Sequence, residues 1–262
     1  MHTLIVAFLL LVSGVAEAAL LGRAPLTPGG TDYQAFYDDL LDVTWLANAN
    51  LAATEKFGVD GIAADGTMTW STAGGWTAAM NAARYLGQDD WRLPTVDPVN
   101  GVSFQYLRSY DGSTDVGYGL GAPGSVFAGT TASELAHLNY TTLGNLAFCG
   151  PASSGNVCLP QAGGGFLNRG PFTNFVASAY WTGRQWDPST DLAWVFRFGP
   201  QSGFLDGNQG SSLKGGFRNV LAIRNGDLAV IPLPAAGWLL VSGLALLGRS
   251  GRRNLGQAGP QG

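Results

Sequence analysis

The residues able to do chemistry in this chain are few, and their kinds matter more than their number. Histidine occurs twice, at His2 and His137, and cysteine twice, at Cys149 and Cys158. One histidine in the body of the chain cannot build a multi-histidine zinc site, and two cysteines add little to it. A Ser-His-Asp arrangement would have to recruit His137. That residue falls in an amphipathic helical pattern, where a packed or surface imidazole is the expectation. Cys149 and Cys158 bracket residues 150–157 without C-x-x-C spacing, so one disulfide closing a small loop is expected, not a redox pair. Such a loop stabilises by ~2–3 kcal/mol. What remains are aromatic and acidic residues in loops. Trp186, Asp187 and Asp191 precede the strand starting at Leu192, and Asp206 and Asn208 lie in the next loop. A tryptophan ring stacks on a sugar face, and carboxylates with loop oxygens hold Ca²⁺. The same residues suit ordinary turns, which is the plainer reading. No catalytic or metal-ligating set is assigned, no cofactor is required, and Ca²⁺ would be the one ion these loops suit. The Glu-Pro-Asn motif of calcium-dependent lectins is absent.

Charge narrows the partners. Between the two ends, the body holds 17 acidic and 11 basic residues. No basic stripe for nucleic acid exists, and the acidic balance argues against a strongly anionic glycan. Charged residues are only 12% of the chain, about half the usual share of a soluble domain. Apolar residues reach 46% and allow a sizeable core. With 39 Gly and 8 Trp, the composition favours short strands, tight turns and long ordered loops over helical bundles.

Two elements flank the body. Residues 1–18 carry an apolar run and then Ala16-Glu17-Ala18, the pattern of a signal peptide cleaved after Ala18. Residues 19–31 read as a linker and 32–227 as the domain. From Leu228 to Gly248 there is no charge, Pro232 and Pro234 break the start, and Arg249, Arg252 and Arg253 follow. The helical part, residues 235–248, is shorter than the ~20 residues of a full span. Positive charge beyond it keeps that end cytoplasmic and the body outside the membrane. Residues 255–262 form a polar tail.

Ile231-Pro232-Leu233-Pro234-Ala235, an apolar helix and an arginine cluster resemble a PEP-CTERM sorting signal of the V-P-L-P-A kind, with Ile231 for the usual Val. The resemblance implies a transient partner, an exosortase (a membrane cysteine protease), in a Gram-negative bacterium that makes extracellular polysaccharide. The protein would be tethered to the inner membrane by its C-terminal helix before processing, then reach the cell surface or matrix.

Within the body, residues 34–38 and 43–46 read as strands. Ser71 is the expected N-cap of a helix over 72–86, with Trp76 and Met80 in its apolar stripe and Gly87 ending it. Asp89 to Thr95 is expected as a strand, with Trp91 and Leu93 on one face and Arg92 on the other, near Asp89 or Asp90. Pro94 holds Leu93 extended and releases a long polar loop to Thr131. Ser133 caps a second helix ended by Gly144. Further strands are expected over 180–182, 192–198 and 217–224, with Phe204 and Leu205 after a Gly-Pro turn.

The set Val43-Thr44-Trp45-Leu46, Trp70, Asp90-Trp91-Arg92-Leu93-Pro94-Thr95, Tyr180-Trp181-Thr182-Gly183, Ala193-Trp194-Val195-Phe196 and Val220 to Arg224 resembles the Lcl C-terminal domain family over residues 32–227. The segment 133–138, closed by Gly144-Asn145, resembles an insertion of sorting-tailed members. The family implies an α+β, C-type-lectin-like fold, two main helices beside a short-stranded antiparallel sheet with long loops, related to formylglycine-generating enzymes. It also has a member that binds sulfated polysaccharides. The expected function is therefore a lectin-like binding role toward extracellular polysaccharide, or a structural matrix role without a ligand. Catalysis of the formylglycine type depends on active-site cysteines, and both candidates here are expected in a disulfide.

Overall fold

The computed structural model describes residues 20–199 and 205–228. The expected signal peptide over residues 1–18, Phe204, the expected sorting motif Ile231 to Ala235 and the arginines Arg249, Arg252 and Arg253 lie outside the described residues. Among the described residues no helix is long and apolar enough to cross a membrane.

The architecture is mixed, mostly sheet, with two helices and two open sheets among the described residues. The first sheet contains β1 (Leu20–Pro25), β2 (Tyr33–Asp38), β3 (Val43–Leu46) and β9 (Ile223–Asn225), in that order and antiparallel throughout. The expectation of a linker over 19–31 is thereby corrected, because Leu20 to Pro25 pair with β2 as the sheet's edge. All four residues of β3 are buried, since strands flank it on both sides and the core covers its faces.

The second sheet runs β4 (Arg108–Ser109), β5 (Val116–Tyr118), β8 (Asn208–Leu213), β7 (Leu192–Arg197) and β6 (Ala179–Gln185). It is antiparallel except for the parallel pair β4–β5, which departs from the all-antiparallel expectation. Three of its strands, β4, β5 and β8, lie where loop was expected. The expected strand over 217–224 shortens to β9. Asn219 bridges Tyr180 while Ile223 bridges Arg92 and pairs Trp45, so this stretch carries the chain from one sheet to the other.

Helix α1 spans Trp70–Ala82, capped by Thr69, whose hydroxyl accepts from Thr72 N–H at 3.3 Å. Thr69, not Ser71, is the cap. Ala73, Trp76, Thr77 and Met80 form its buried stripe. The helix ends early because Arg84 and Leu86 take left-handed φ of 51° and 54°, where residues with a Cβ do not propagate a helix. Asn81 then holds the returning chain. Its Nδ2 donates to Trp91 O at 2.8 Å, and its Oδ1 accepts Trp91 N–H at 2.8 Å.

The segment 89–95 is not a strand. It makes a single antiparallel bridge, Arg92 with Ile223. Trp91 and Leu93 are buried as their alternation requires. Arg92 is not near Asp89 or Asp90, which pair instead with Arg84 at 2.6 Å and Arg224 at 2.8 Å. Its guanidinium grips Glu134 with two bonds of 2.8 and 2.7 Å and reaches Asn225 Oδ1. Glu134 opens α2 (Glu134–His137), which Ser133 caps and which relaxes into a wider π turn over Leu138–Thr142. Glu134 is only 6% exposed.

Removing one partner of this pair strands a buried charge. Arg92→Met should destabilise by about 3 kcal/mol, a fall of roughly 6–12 °C in Tm for a domain of this size. Arg92→Met with Glu134→Leu should recover part of that loss. Thermal unfolding of the three proteins decides it, and equal losses in the single and double variants would refute the stranded-charge account.

Candidate functional site

A groove of about 880 Å³ opens along the Trp91-to-Thr95 stretch. Three elements wall it: the first turns of α1 with Trp70, Ser71 and Gly74; the segment from Trp91 to Asp97; and the end of β6 with the turn through Asp187. These elements are fixed to one another by backbone. Gly183 N–H donates to Pro94 O at 2.8 Å, and Trp70 Nε1 donates to Thr182 O at 2.8 Å. The groove is open beside α1 at Gly74, where a Cβ would meet nothing within 4 Å.

Side chains at the rim are mostly long and polar. Lys214 Nζ sits 4.5 Å from the centroid of the Trp70 ring and 2.6 Å from Gln185 Oε1. Arg184 lies over Phe104 at 4.5 Å and 3.6 Å from both Asp97 and Asp187. Pairs this open are worth roughly 0–1 kcal/mol, so they can rearrange around a ligand. Among the described residues the groove joins aromatic surface to a few charged groups, the usual make-up of a small-molecule site.

Beside it stands an aromatic cluster. Trp186 packs 4.4 Å from buried Trp194 and 4.8 Å from Tyr106, and Phe104 lies 5.0 Å from Trp194. Tyr106 donates its hydroxyl to Asp187 Oδ2 at 3.2 Å. Burial first, then the Asp187 charge, pushes the Tyr106 phenol above its ordinary value and keeps that proton in place.

The five ligand candidates from the sequence therefore separate. Asp187 lines the groove. Trp186 and Asn208 line a second cavity of about 160 Å³. Asp191 borders a third depression with Lys214 and Arg218. Asp206 faces elsewhere, its Oδ2 accepting Phe166 N–H at 3.1 Å. Asn208 is a buried strand residue, not a loop ligand; its amide bonds Arg197 and Gly117 O. Among the described residues no group of three or more His, Cys, Asp or Glu side chains is placed to hold a metal. His137 is buried, with Nδ1 on Thr130 O. Cys149 and Cys158 are bonded to each other.

Pattern reading missed Arg184, Lys214, Arg197, Gln209 and Asp115. The last orders the loop behind the groove. Asp115 is fully buried, and its two oxygens accept Val99 N–H and Gln105 N–H, each at 2.7 Å. Burial raises its pKa, against the lowering by those two N–H groups. Arg197, 5% exposed, shows the opposite sign of the same effect. Burial lowers it to about 10, and Arg218 and Arg108 push it the same way.

These features define a mixed, sheet-rich domain with a polar-rimmed groove built on a single sequence motif. The Lcl C-terminal domain family model matches residues 34–224, and the chain belongs to that family. No curated protein and no solved structure matches it.

A raised carboxyl pKa fixes the sign of a pH effect. The folded state holds the Asp115 proton more tightly than the unfolded chain does. Its contribution is full below the unfolded value, ~3.9, and is lost as pH rises through the folded value. The stability of wild type relative to Asp115→Asn should therefore increase as pH falls from neutral through that window. Paired denaturant titrations across acidic pH check this; a difference that shrinks on acidification would contradict it.

Proposed function

We propose that this protein is an exported carbohydrate-binding module of C-type-lectin-like fold, held at the cell surface or in the extracellular matrix. The groove along α1 and the Trp91-to-Asp97 segment is its ligand platform. The observation that carries the reading is that groove, of ordinary ligand-site volume, built by the residues that mark the family. Support for the lectin-like fold comes from the first and last strands sharing one sheet and from long ordered loops. The disulfide suits an oxidising compartment. It also consumes both cysteines of the chain, which leaves no thiol for chemistry of the formylglycine type. The Ile231-to-Ala235 motif, apolar stretch and arginine cluster support sorting by an exosortase.

Affinity electrophoresis of the purified protein against the polysaccharides of its host, with and without Ca²⁺, tests the binding role. Retention is expected, and Trp70→Ala should weaken it about tenfold or more, as loss of a central tryptophan does at other interfaces. Retention by none of them would remove the binding role and leave a structural matrix component. For the address, deletion of residues 231–254 should abolish surface retention in the host, and unchanged retention would sink the sorting reading.

A further inference from the structure

In the 160 Å³ cavity lined by Arg108 and Arg197, the Arg197 guanidinium is engaged already, donating to Asn208 Oδ1 at 2.8 Å and Ser211 O at 3.0 Å. The third depression is of another kind. It holds about 540 Å³ and shares a wall with the groove. That wall is Lys214, which lines the depression while its ammonium rests on the Trp70 ring and donates to Gln185 Oε1. Trp70 and Gln185 both line the groove. Backbone fixes the same junction. Trp70 N–H donates to Lys214 O at 3.0 Å, and Met68 exchanges bonds of 2.9 and 3.0 Å with Arg218. The stretch from Lys214 to Arg218 is thus held against the start of α1 at both ends. Phe217 lies within it, between Gly216 and Arg218 at the lip of the depression, and is 48% exposed. The depression is open at Gly215, where a Cβ would meet nothing within 4 Å. Its polar lining is mixed: hydroxyls from Thr190 and Ser212, a carboxylate from Asp191, and N–H donors from Lys214 and Arg218.

We propose that groove and depression form one track for a linear, largely uncharged polysaccharide bound along its length, with Phe217 as the platform of a second sugar subsite. Each cavity has its aromatic ring, Trp70 in the first and Phe217 at the edge of the second, and such rings pack on the carbon faces of sugars. Lys214 and Gln185 are the polar groups that a sugar crossing from one to the other meets. Lys214 and Arg218 already have neutral acceptors, Gln185 Oε1 and Ser212 Oγ, so the lining calls for hydroxyls, which donate and accept, and not for an acid. Asp191 re-enters here as an acceptor for those hydroxyls. A lone sugar or a chain end fills one cavity, whereas a chain whose faces repeat gains from both, because the second contact is made at high effective concentration once the first is in place. The assignment rests on the polysaccharide-binding reading above and deepens it: the ligand is an inner stretch of chain.

Calorimetric titration of the whole protein tests it. The probes are oligomers of the host's extracellular polysaccharides, partly hydrolysed and sorted by length from dimers to octamers. Wild-type affinity should climb about tenfold or more from the shortest fraction that binds to the longest. Phe217→Ala, at an exposed position, should keep the wild-type Tm and bind that shortest fraction unchanged, yet lose about fivefold or more on the longest. Phe217→Tyr retains the ring and should bind as wild type. Half-molar salt should leave the affinity of the longest fraction within about twofold, since charge does not carry the binding. Affinity independent of length, Phe217→Ala equal to wild type on the longest fraction, or the same loss on every fraction would overturn the second subsite and leave the groove reading standing. A large loss in salt would overturn the uncharged chain. Binding of no fraction would remove this proposal and the binding role together.

Discussion

The bidentate pair between Arg92 and Glu134 is the constraint on which the remaining architecture depends. It joins residues 42 apart in sequence, and backbone contacts repeat the junction. Val96 bridges Ser133, Asp97 N–H donates to Ala132 O at 2.6 Å, and Thr95 N–H donates to a Glu134 oxygen. The long polar excursion between these segments thus leaves and returns at one clasp. Closing such a loop costs entropy that grows only slowly with its length, so a few well-formed bonds at its neck suffice. The same guanidinium touches Asn225, and Arg92's backbone bridges Ile223, which brings β9 into the junction. One face of the groove is the segment so clasped. A buried ion pair seldom adds much stability over an apolar replacement; what this one supplies is position.

Beyond the clasp, the excursion is organised by polar satisfaction more than by apolar contact. Asp115 collects two backbone N–H groups, and its own carbonyl accepts from Gln209 on β8. Asn208 on the same strand donates to Gly117 O. The strand is polar because it serves as the partner of the loop as well as of β7. A buried polar strand of this kind is affordable only when nearly every group is paired, which makes the unpaired Gln209 Oε1 conspicuous.

That accounting explains what the sequence could and could not show. Strands β2 and β3, the α1 stripe of Trp76 and Met80, and β7 were legible because alternation and helical spacing report burial directly. The Asn-Gln-Gly-Ser-Ser-Leu run of β8 has neither apolar alternation nor β-branched residues, and its strand state comes from neighbours distant in sequence. The end of α1 was misplaced because left-handed Arg84 and Leu86 carry no glycine to announce them. The partner of Arg92 was misassigned to local aspartates, since a pair 42 residues apart leaves no local trace. At the site, aromatic loop residues were visible as types. Which of them share a cavity depended on the pairing of β8, and so was hidden with it.

The acidic body and the arginine-lined cavity fit together once distance is taken into account. Net charge acts through solvent, where ions screen fields beyond about 8 Å at physiological salt. It therefore governs how a polyanion approaches, and slows it. Occupancy of a cavity is governed by the groups that line it, in surroundings where charges interact far more strongly than in water. Arg197 shows that its surroundings are of this second kind, because burial alone is the largest influence on its proton. Net charge and local charge thus act over different distances, and the acidic surface does not set the chemistry of a cavity it surrounds.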